Sequence, residues 1–407
     1  MHQAAIVKVP PAVLQEQLLS RIREFLPLLT GDESFDLLRE LSERYSGKKE
    51  WFESLSSRQL DLVRTIPSIT EYPVLSKMHD ELNGLELERF LKMQSVPTLH
   101  ARCTEYRDLL AGRALSLVEQ ELSARGSGVP PVTYALISMG SDGREEQTLI
   151  TDQDYLIVYA DGDEAVDRYF KEFSELLVER LAEIGFKKCT GDIMPSNPTW
   201  RGSFSQWKRK LLSIVRYEYE DYAKNLMDLI VLSDARYVAG DRELAQELIG
   251  LIRSLEQDYF QVLWGMAKAA TEMKLGLGFL KRLWTEGAGE HKGELNLKLL
   301  AWAPLVMNVR ILAINQGIPA TNTLERIELL ETERSFSHNT AAGLTDAYHI
   351  LTRHRILLQV KVIKGIQKDS HYLNPYELPT EERERIRQSI LLIEDLQKII
   401  HTNFSIM

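Results

Sequence analysis

The chain has 407 residues, of which 44% are hydrophobic and 27% charged, so it is long enough for two or three globular domains with cores of their own. A net charge of −10 argues against a large sequence-independent nucleic-acid surface, because such a surface needs Lys and Arg to neutralise phosphates. No apolar run approaches the roughly 18 to 20 residues that cross a bilayer, and the first residues lack a cationic and apolar signal sequence, so we expect a cytoplasmic protein without membrane or nucleic-acid partners.

The first part of the chain is predicted to be helical. Apolar residues recur at helical spacing from about residue 12 to 126, as in Leu14, Leu18 and Ile22. A cluster of glycine and proline at 126–131 should end the last of these helices. We therefore predict an N-terminal helical region at 1–95 and a further helix that leads into the next domain.

Strand-like and helical runs then alternate from 132 to about 240, which predicts a small α/β unit. With its leading helix this unit gives a domain at 96–241, and helical periodicity beyond it gives a C-terminal helical domain at 242–407. The predicted fold class is α+β. The predicted strands are 132–139, 154–160, 186–190 and 226–232, and the predicted helices between them are 164–184 and 203–224.

Two aspartates stand at the start of the second predicted strand. Because side chains alternate across a strand, Asp152 and Asp154 should point to the same face, where two carboxylates can hold a divalent metal ion. Gly140 and Ser141 end the preceding strand and would let backbone amides and a hydroxyl approach a phosphate. Metal and phosphate together indicate phosphoryl or nucleotidyl transfer, although an Asp-x-Asp pair alone also occurs in solvated turns.

Nucleotidyl transfer usually uses three carboxylates around two ions, so a third acid is required. Asp228 lies inside the predicted strand 226–232, where a buried unpaired carboxylate would be costly unless it bound a cation. Asp234 follows this run and can alternatively pair with Arg236 or begin a turn. Both remain candidates.

Charged residues fill the turn between the first two strands. Arg144 and Gln147 follow the Gly-Ser pair, and Arg is suited to bidentate contact with triphosphate oxygens. The alternative is a solvated helical turn, which is what most charge runs are.

The loop after Cys189 carries further candidates. Asn197, Trp200 and Arg201 can contact a nucleotide base or phosphate if this loop adjoins the active site. A buried packing role is the simpler interpretation for the tryptophan.

The stretch from 140 to 154 resembles the motif Gly-Ser-x-Gly-Arg-x-Glu-Gln-Thr-x-x-Thr-Asp-Gln-Asp of a known family. These are the nucleotidyltransferases related to the N-terminal domain of PII-uridylyltransferase, often fused in bacteria to CBS and cyclic-nucleotide-binding domains. The similarity covers roughly residues 95 to 405.

The resemblance implies a DNA-polymerase-β-like nucleotidyltransferase α/β domain, with Mg²⁺ or Mn²⁺ as cofactor and a nucleoside triphosphate as substrate. It implies that Asp152 and Asp154 bind metal, and it favours Asp234 over Asp228 as the third catalytic acid and metal ligand. The nucleotide-binding residues that it implies are Gly140, Ser141, Arg144, Gln147, Thr151, Asn197, Trp200 and Arg201.

Two features depart from the family pattern. Tyr155 stands where the family commonly has Asn, which can change substrate contacts while leaving the metal pair intact. The N-terminal region shows no strand alternation suited to CBS domains, so we expect the usual nucleotide sensor to be missing or replaced by the helices of 1–95.

The sequence leaves three functions in competition. The first is an active metal-dependent transferase in signalling. The second is a catalytically silent nucleotide-binding regulator, and the third is a scaffold in which the motif no longer has a catalytic function. An active enzyme would modify an unidentified protein or small-molecule acceptor, and a homo-oligomer is left open. Lys298, Arg310 and Arg326 can supply positive charge for an acceptor, or else form salt bridges.

Overall fold

The computed structural model describes residues 32–216 and 222–406, with side chains from residue 49 to 216 and from 224 onward. The predicted helical residues 12–31 lie outside this part of the chain. The chain divides into two compact units, residues 1–60 and 61–407. The domain boundaries that we place at 95 and 241 stay predictions.

Three long helices precede the sheet: α1 (Asp32–Thr65), α2 (Tyr72–Met93) and α3 (Val96–Ala124). Helix α3 begins where the Ser95 side chain accepts a hydrogen bond from the Thr98 amide, a common capping arrangement. Its buried face packs against the sheet and against a helix that follows it.

A four-stranded sheet forms the centre of the α/β unit, in the order β5–β3–β1–β6. Strand β1 pairs antiparallel with both β3 and β6, and β3 pairs parallel with β5. Every residue of β1 and β3 is buried, which matches their uninterrupted apolar sequences. The strands of this sheet are β1 (Tyr134–Ser138), β3 (Tyr155–Tyr159), β5 (Arg201–Ser203) and β6 (Arg236–Gly240).

Shorter elements surround this sheet. A one-turn helix, α4 (Gly140–Gly143), follows β1, and β2 (Asp152–Gln153) pairs parallel with β4 (Lys187–Lys188). The helices of this unit are α5 (Glu164–Ile184), α6 (Phe204–Val215) and α7 (Tyr222–Leu232).

The predicted strand at 226–232 is wrong, because this run belongs to helix α7. A short apolar run does not distinguish a buried strand from a buried helix by periodicity alone. Leu226, Leu229 and Ile230 are buried whereas Met227 is 56% exposed, which is helical spacing. The strand of this region is β6, which begins two residues after Asp234.

The C-terminal part is helical except for one small sheet, β7 (Leu295–Asn296) with β8 (Tyr372–Leu373). A π-helical turn, Lys298–Trp302, leads directly into α10. The helices are α8 (Arg242–Asp258), α9 (Phe260–Thr271), α10 (Ala303–Asn315), α11 (Thr323–Thr332), α12 (His338–Ile363) and α13 (Thr380–Asn403). The α+β architecture with a helical C-terminal region is therefore confirmed.

One stretch in the described part of the chain, Lys298–Asn315, is long and apolar enough to cross a membrane by length and composition. It is 72% buried inside the protein, as is common for a core helix.

Candidate functional site

The turn after β1 lies against the start of β3. Ser138 at the end of β1 pairs with Tyr155, and the Met139 amide donates a hydrogen bond to the Asp154 carbonyl at 2.8 Å. Gly140 has φ +58°, and a Cβ at this position would lie 2.5 Å from Asp154 Oδ2. A glycine suits this position, because it adopts a positive φ without strain and adds no Cβ beside the Asp154 carboxylate.

Asp152 and Asp154 are close enough to affect each other electrostatically. Burial, together with the charges of Asp152 and Asp142, raises the pKa of Asp154 to about 6 against the opposing effect of a hydrogen bond from Cys189. Asp152 itself is exposed in β2. The two carboxylates thus concentrate negative charge beside the Gly140 turn.

This donor set fits Mg²⁺ or Mn²⁺. Magnesium is usually bound by one or two carboxylates together with substrate phosphates and water, and it requires no complete protein cage. The space that a Cβ at Gly140 would fill lies directly beside Asp154 Oδ2. Among the side chains of residues 49–216 and 224–406, however, no three Asp, Glu, His or Cys come together to hold a metal ion.

Asp234 is fully buried among three arginines. Its carboxylate accepts hydrogen bonds from Arg144 Nη1 at 2.6 Å, from Arg310 Nε at 3.1 Å and from Arg326 Nη1 at 3.2 Å. Burial alone would raise the pKa of Asp234, but the charges of these three arginines hold it below its usual value. Guanidinium groups therefore already neutralise the Asp234 carboxylate.

Asp228 lies on helix α7, in contrast to its predicted position on a strand. Its carboxylate forms an ion pair with Lys210 Nζ at 3.7 Å. Lys210 in turn lies over the rings of Trp200 and Trp207. The cation near the Asp228 carboxylate is therefore a lysine in this structure.

Arg144 is engaged by carboxylates on two sides. It donates to Glu146 at 2.8 Å as well as to Asp234, and burial leaves it 5% exposed. The segment before α11 also binds this turn, since Thr321 donates to the Gly143 carbonyl and Asn322 to the Arg144 carbonyl. The motif turn is thus fixed by the C-terminal region.

Gln147 and Thr151 are buried in the loop between α4 and β2. Arg107 of α3 donates to Gln147 Oε1 at 3.0 Å, and the Lys187 amide donates to the Thr151 carbonyl at 3.2 Å. Both contacts fix the loop that ends at Asp152. Their predicted contact with a nucleotide stays a prediction.

The three predicted residues of the 189–201 loop have internal partners. Asn197 accepts from the Thr199 amide at 2.9 Å and donates to Asp192. Arg201 donates to the Pro195 carbonyl at 2.9 Å and to the Ser196 carbonyl at 2.6 Å. Trp200 is 3% exposed. These contacts shape the loop, and the predicted nucleotide contacts of these residues stay predictions.

Two cations that sequence reasoning did not assign to the nucleotide site lie near the aspartate pair. Lys298 is close enough for Asp152 and Asp154 to affect its pKa, and Arg355 lies near Lys298. Both residues belong to the region of resemblance, but only folding brings them to this site. Trp302, over whose ring the Arg355 guanidinium lies, had no distinguishing signal in the sequence.

A cavity of about 700 Å³ opens next to this group. It is lined by Ile150, Lys187 and His371 among others. Lys187 is the register partner of Asp152, and His371 is close enough for Asp152 and Lys298 to affect its pKa. The cavity therefore offers space for a substrate beside the aspartate pair.

Known families match two parts of the chain. Residues 85–221 match the family described as "Putative nucleotidyltransferase DUF294", and residues 260–404 match the one described as "Putative nucleotidyltransferase substrate binding domain". The first match contains the stretch from 140 to 154, and the second contains Lys298 and Arg355.

The chain is also similar to curated proteins named bifunctional glutamine synthetase adenylyltransferase/adenylyl-removing enzyme, from Bifidobacterium longum subsp. infantis and from two strains of Bifidobacterium longum. The identity is 24% over 266 residues, which is 62% of this chain and 24% of each enzyme. The chain thus spans about a quarter of the length of these relatives.

Proposed function

The chain belongs to the nucleotidyltransferase family that these two matches describe, and from this premise we propose that it transfers a nucleoside monophosphate from a nucleoside triphosphate to an acceptor with Mg²⁺ or Mn²⁺ at Asp152 and Asp154. The observation that carries the proposal is the Gly140 turn, which brings the backbone of the Gly-Ser pair against the Asp154 carboxylate, so that a Cβ at Gly140 would lie 2.5 Å from Asp154 Oδ2.

The reaction is an in-line substitution at the α-phosphorus. An acceptor oxygen forms a bond to this phosphorus, the bond to the bridging oxygen of the β-phosphate breaks, and the electron pair leaves with pyrophosphate while the acceptor proton passes to solvent. Asp152 and Asp154 would hold a divalent ion, which would act as a Lewis acid and neutralise charge on the phosphate oxygens.

The residues of the chain bind and orient the donor. Gly140 lets the backbone approach the phosphates, and Ser141 has a half-buried hydroxyl with no hydrogen bond to the described residues, so that it is free to donate to a phosphate oxygen. Arg144 acts indirectly, because it fixes the turn through Glu146 and Asp234. Positioning of this kind lowers the entropy cost of the reaction.

Asp234 is assigned a positioning role in this proposal. Three arginines neutralise its carboxylate, so metal binding there would require a rearrangement that separates buried Arg310 and Arg326 from the carboxylate with which they pair. Two carboxylates with phosphate oxygens and water complete the magnesium sphere without it. Asp228, paired with Lys210, has no catalytic role in the proposal.

Adenylyl transfer is the first choice for the group transferred, because the curated relatives carry that activity in their names. The acceptor is a protein or small molecule that reaches the 700 Å³ cavity beside Asp152. The signalling role and the cytoplasmic location stay predictions from the sequence.

A transfer assay tests the proposal. The protein is incubated with each α-³²P-labelled nucleoside triphosphate, Mg²⁺ or Mn²⁺ and cell extract, beside Asp152→Asn and Asp154→Asn. Asp395→Asn is the matched control, since Asp395 is a surface residue far along α13. We expect label on an acceptor with the wild type and the control only, and equal labelling by all four proteins would overturn the proposal.

A catalytically silent nucleotide-binding regulator is the second candidate. It is favoured by the engagement of Asp234, which leaves two carboxylates where such enzymes usually have three. Saturable binding of a nucleoside triphosphate without any transfer, with every nucleotide and both metals, would support this candidate over the first.

A further inference from the structure

Two cations in the C-terminal region lack an acidic partner. Lys298 opens the π-helical turn and Arg355 lies on α12, and neither forms an ion pair with a carboxylate in residues 49–216 and 224–406. Nearby Arg310 and Arg326, by contrast, both pair with Asp234. Unpaired cations that are partly buried are costly, which makes a missing anion the natural explanation.

Trp302 fixes the position of Arg355. The Arg355 guanidinium lies 3.7 Å from the centroid of the Trp302 ring, and Arg144 of the motif turn lies 5.6 Å from the same ring. Trp302 is itself held by a hydrogen bond from its indole to Thr352 Oγ1 at 3.0 Å. Stacking of this kind orients a guanidinium while leaving its N–H edges free for a phosphate.

Helix α12 is bound to the motif loop one turn beyond Arg355. Gln359 donates to Thr148 Oγ1 at 2.9 Å and accepts from the Ile150 amide at 3.3 Å. Residues four apart on a helix lie on the same face, so Arg355 points to the same side as Gln359. The loop that ends at Asp152 is thus fixed relative to Arg355.

Lys298 lies near both Arg355 and the aspartate pair, since the charges of all three residues act on its ammonium group. The Leu297 amide donates to the His371 carbonyl at 2.9 Å, which fixes the start of the π-helical turn. Burial and the Arg355 charge lower the pKa of Lys298, while Asp152 and Asp154 raise it. A π-helical turn is rare and frequently marks a functional site.

The arrangement resembles a phosphate site in its chemistry. It presents a lysine, which binds phosphate as a point charge, and an arginine, which binds two oxygens at once. The triphosphate of a nucleotide whose α-phosphate lies at Asp152 and Asp154 would extend its β- and γ-phosphates toward these cations.

We propose that Lys298 and Arg355 form a clamp for the β- and γ-phosphates of the donor nucleotide and hold the pyrophosphate that leaves. This inference rests on the proposed function, and it assigns the C-terminal region to the donor nucleotide as well as to the acceptor. The donor site is therefore complete only when the α/β unit and the C-terminal helices are together.

Binding of inorganic tripolyphosphate tests the clamp without any need to know the base. Its affinity is measured by calorimetry with Mg²⁺ for the wild type, Lys298→Gln and Arg355→Gln. Lys292→Gln and Arg353→Gln are the matched controls, because Lys292 is exposed and Arg353 pairs with Glu382. We expect each clamp variant to lose affinity by about tenfold to a hundredfold and both controls to bind as the wild type.

Two outcomes overturn the proposal: no binding of tripolyphosphate by the wild type, or unchanged affinity in both clamp variants. Lys298→Arg and Arg355→Lys keep the charge and should recover part of the affinity, which separates phosphate binding from a folding defect. If the clamp variants lose tripolyphosphate but the wild type transfers no label, the clamp stands and the transferase proposal fails. If label is transferred and tripolyphosphate affinity is unchanged, the clamp alone fails.

Discussion

Arg310 of α10 binds both oxygens of Asp234, with Nε 3.1 Å from Oδ1 and Nη2 2.5 Å from Oδ2. Asp234 lies two residues before β6, an edge strand of the sheet, so this bidentate pair joins the α/β unit to the C-terminal helices. Arg144 of the motif turn and Arg326 of α11 bind the same carboxylate. One buried anion thus connects the motif turn with two helices of the C-terminal region.

Replacement of this anion should destabilise the protein strongly. In Asp234→Asn the buried guanidinium groups of Arg310 and Arg326 lose the carboxylate with which they pair, and Arg144 keeps only Glu146. Removal of one partner of a buried ion pair costs about 3 to 5 kcal/mol. The midpoint of urea unfolding should fall clearly, while Asp395→Asn on the surface should leave it unchanged. Loss of transfer activity with an unchanged midpoint would instead identify Asp234 as a metal ligand.

Gly143 should tolerate no side chain. A Cβ at this position would lie 2.0 Å from the Asp234 carbonyl oxygen, a backbone atom that cannot move without β6. We expect Gly143→Ala to lower the urea midpoint, because overpacking should reduce the free energy of unfolding by on the order of 1 to 3 kcal/mol. Gly250→Ala in α8 is the control, because it meets no atom within 4 Å and should be neutral or slightly stabilising. Equal midpoints for the two variants would contradict the close packing of Gly143.

Gly140→Ala should affect the site more than the fold. Its Cβ would meet Asp154 Oδ2, a side-chain atom that can rotate away, although the positive φ adds strain of about 1 kcal/mol. Nucleotide-dependent transfer should therefore be lost while the protein still folds, as circular dichroism can check. Full activity in Gly140→Ala would show that the close approach of this turn to Asp154 is irrelevant.

The stability of the protein should depend on the ionisation of Asp154. Its pKa of about 6 lies above the value near 3.9 of an unfolded chain, so the folded state holds more protons between about pH 4 and 6. Unfolding should therefore become easier as the pH rises through this window, by on the order of 2 kcal/mol. Asp154→Asn removes this contribution.

The measurement is the urea midpoint of the metal-free wild type and of Asp154→Asn at pH values from 4 to 7. Other buried carboxyls such as Glu256, whose pKa burial raises to about 8, affect both proteins alike, so only the difference matters. As the pH rises, the urea midpoint of Asp154→Asn should increase relative to that of the wild type. Parallel curves would show that Asp154 titrates as in the unfolded chain.

The sequence predicted the α+β fold and the strands at 132–139 and 154–160, which contain β1 and β3. It did not predict that these strands pair antiparallel and so bring the Gly140 turn against Asp154. It did not predict the helix at Tyr222–Leu232, since a short apolar run fits both structures. The sequence also did not predict which side chains pair, because only folding brings residues that are far apart in the chain into contact. Arg310 and Lys298 are both cations with no distinguishing sequence context. In the folded protein Arg310 pairs with Asp234, whereas Lys298 forms no ion pair with a described residue.

The measurement that tests the central claim most directly is Mn²⁺ binding by electron paramagnetic resonance, because it needs no acceptor. Wild type and the double variant Asp152→Asn with Asp154→Asn are titrated with Mn²⁺ in the presence of a non-hydrolysable ATP analogue. We predict that the wild-type protein reduces the free Mn²⁺ signal at stoichiometric concentration. With the double variant, which should still fold, the signal should fall only by the amount of Mn²⁺ that the nucleotide analogue itself binds. Identical titrations for the two proteins would contradict a metal site at Asp152 and Asp154.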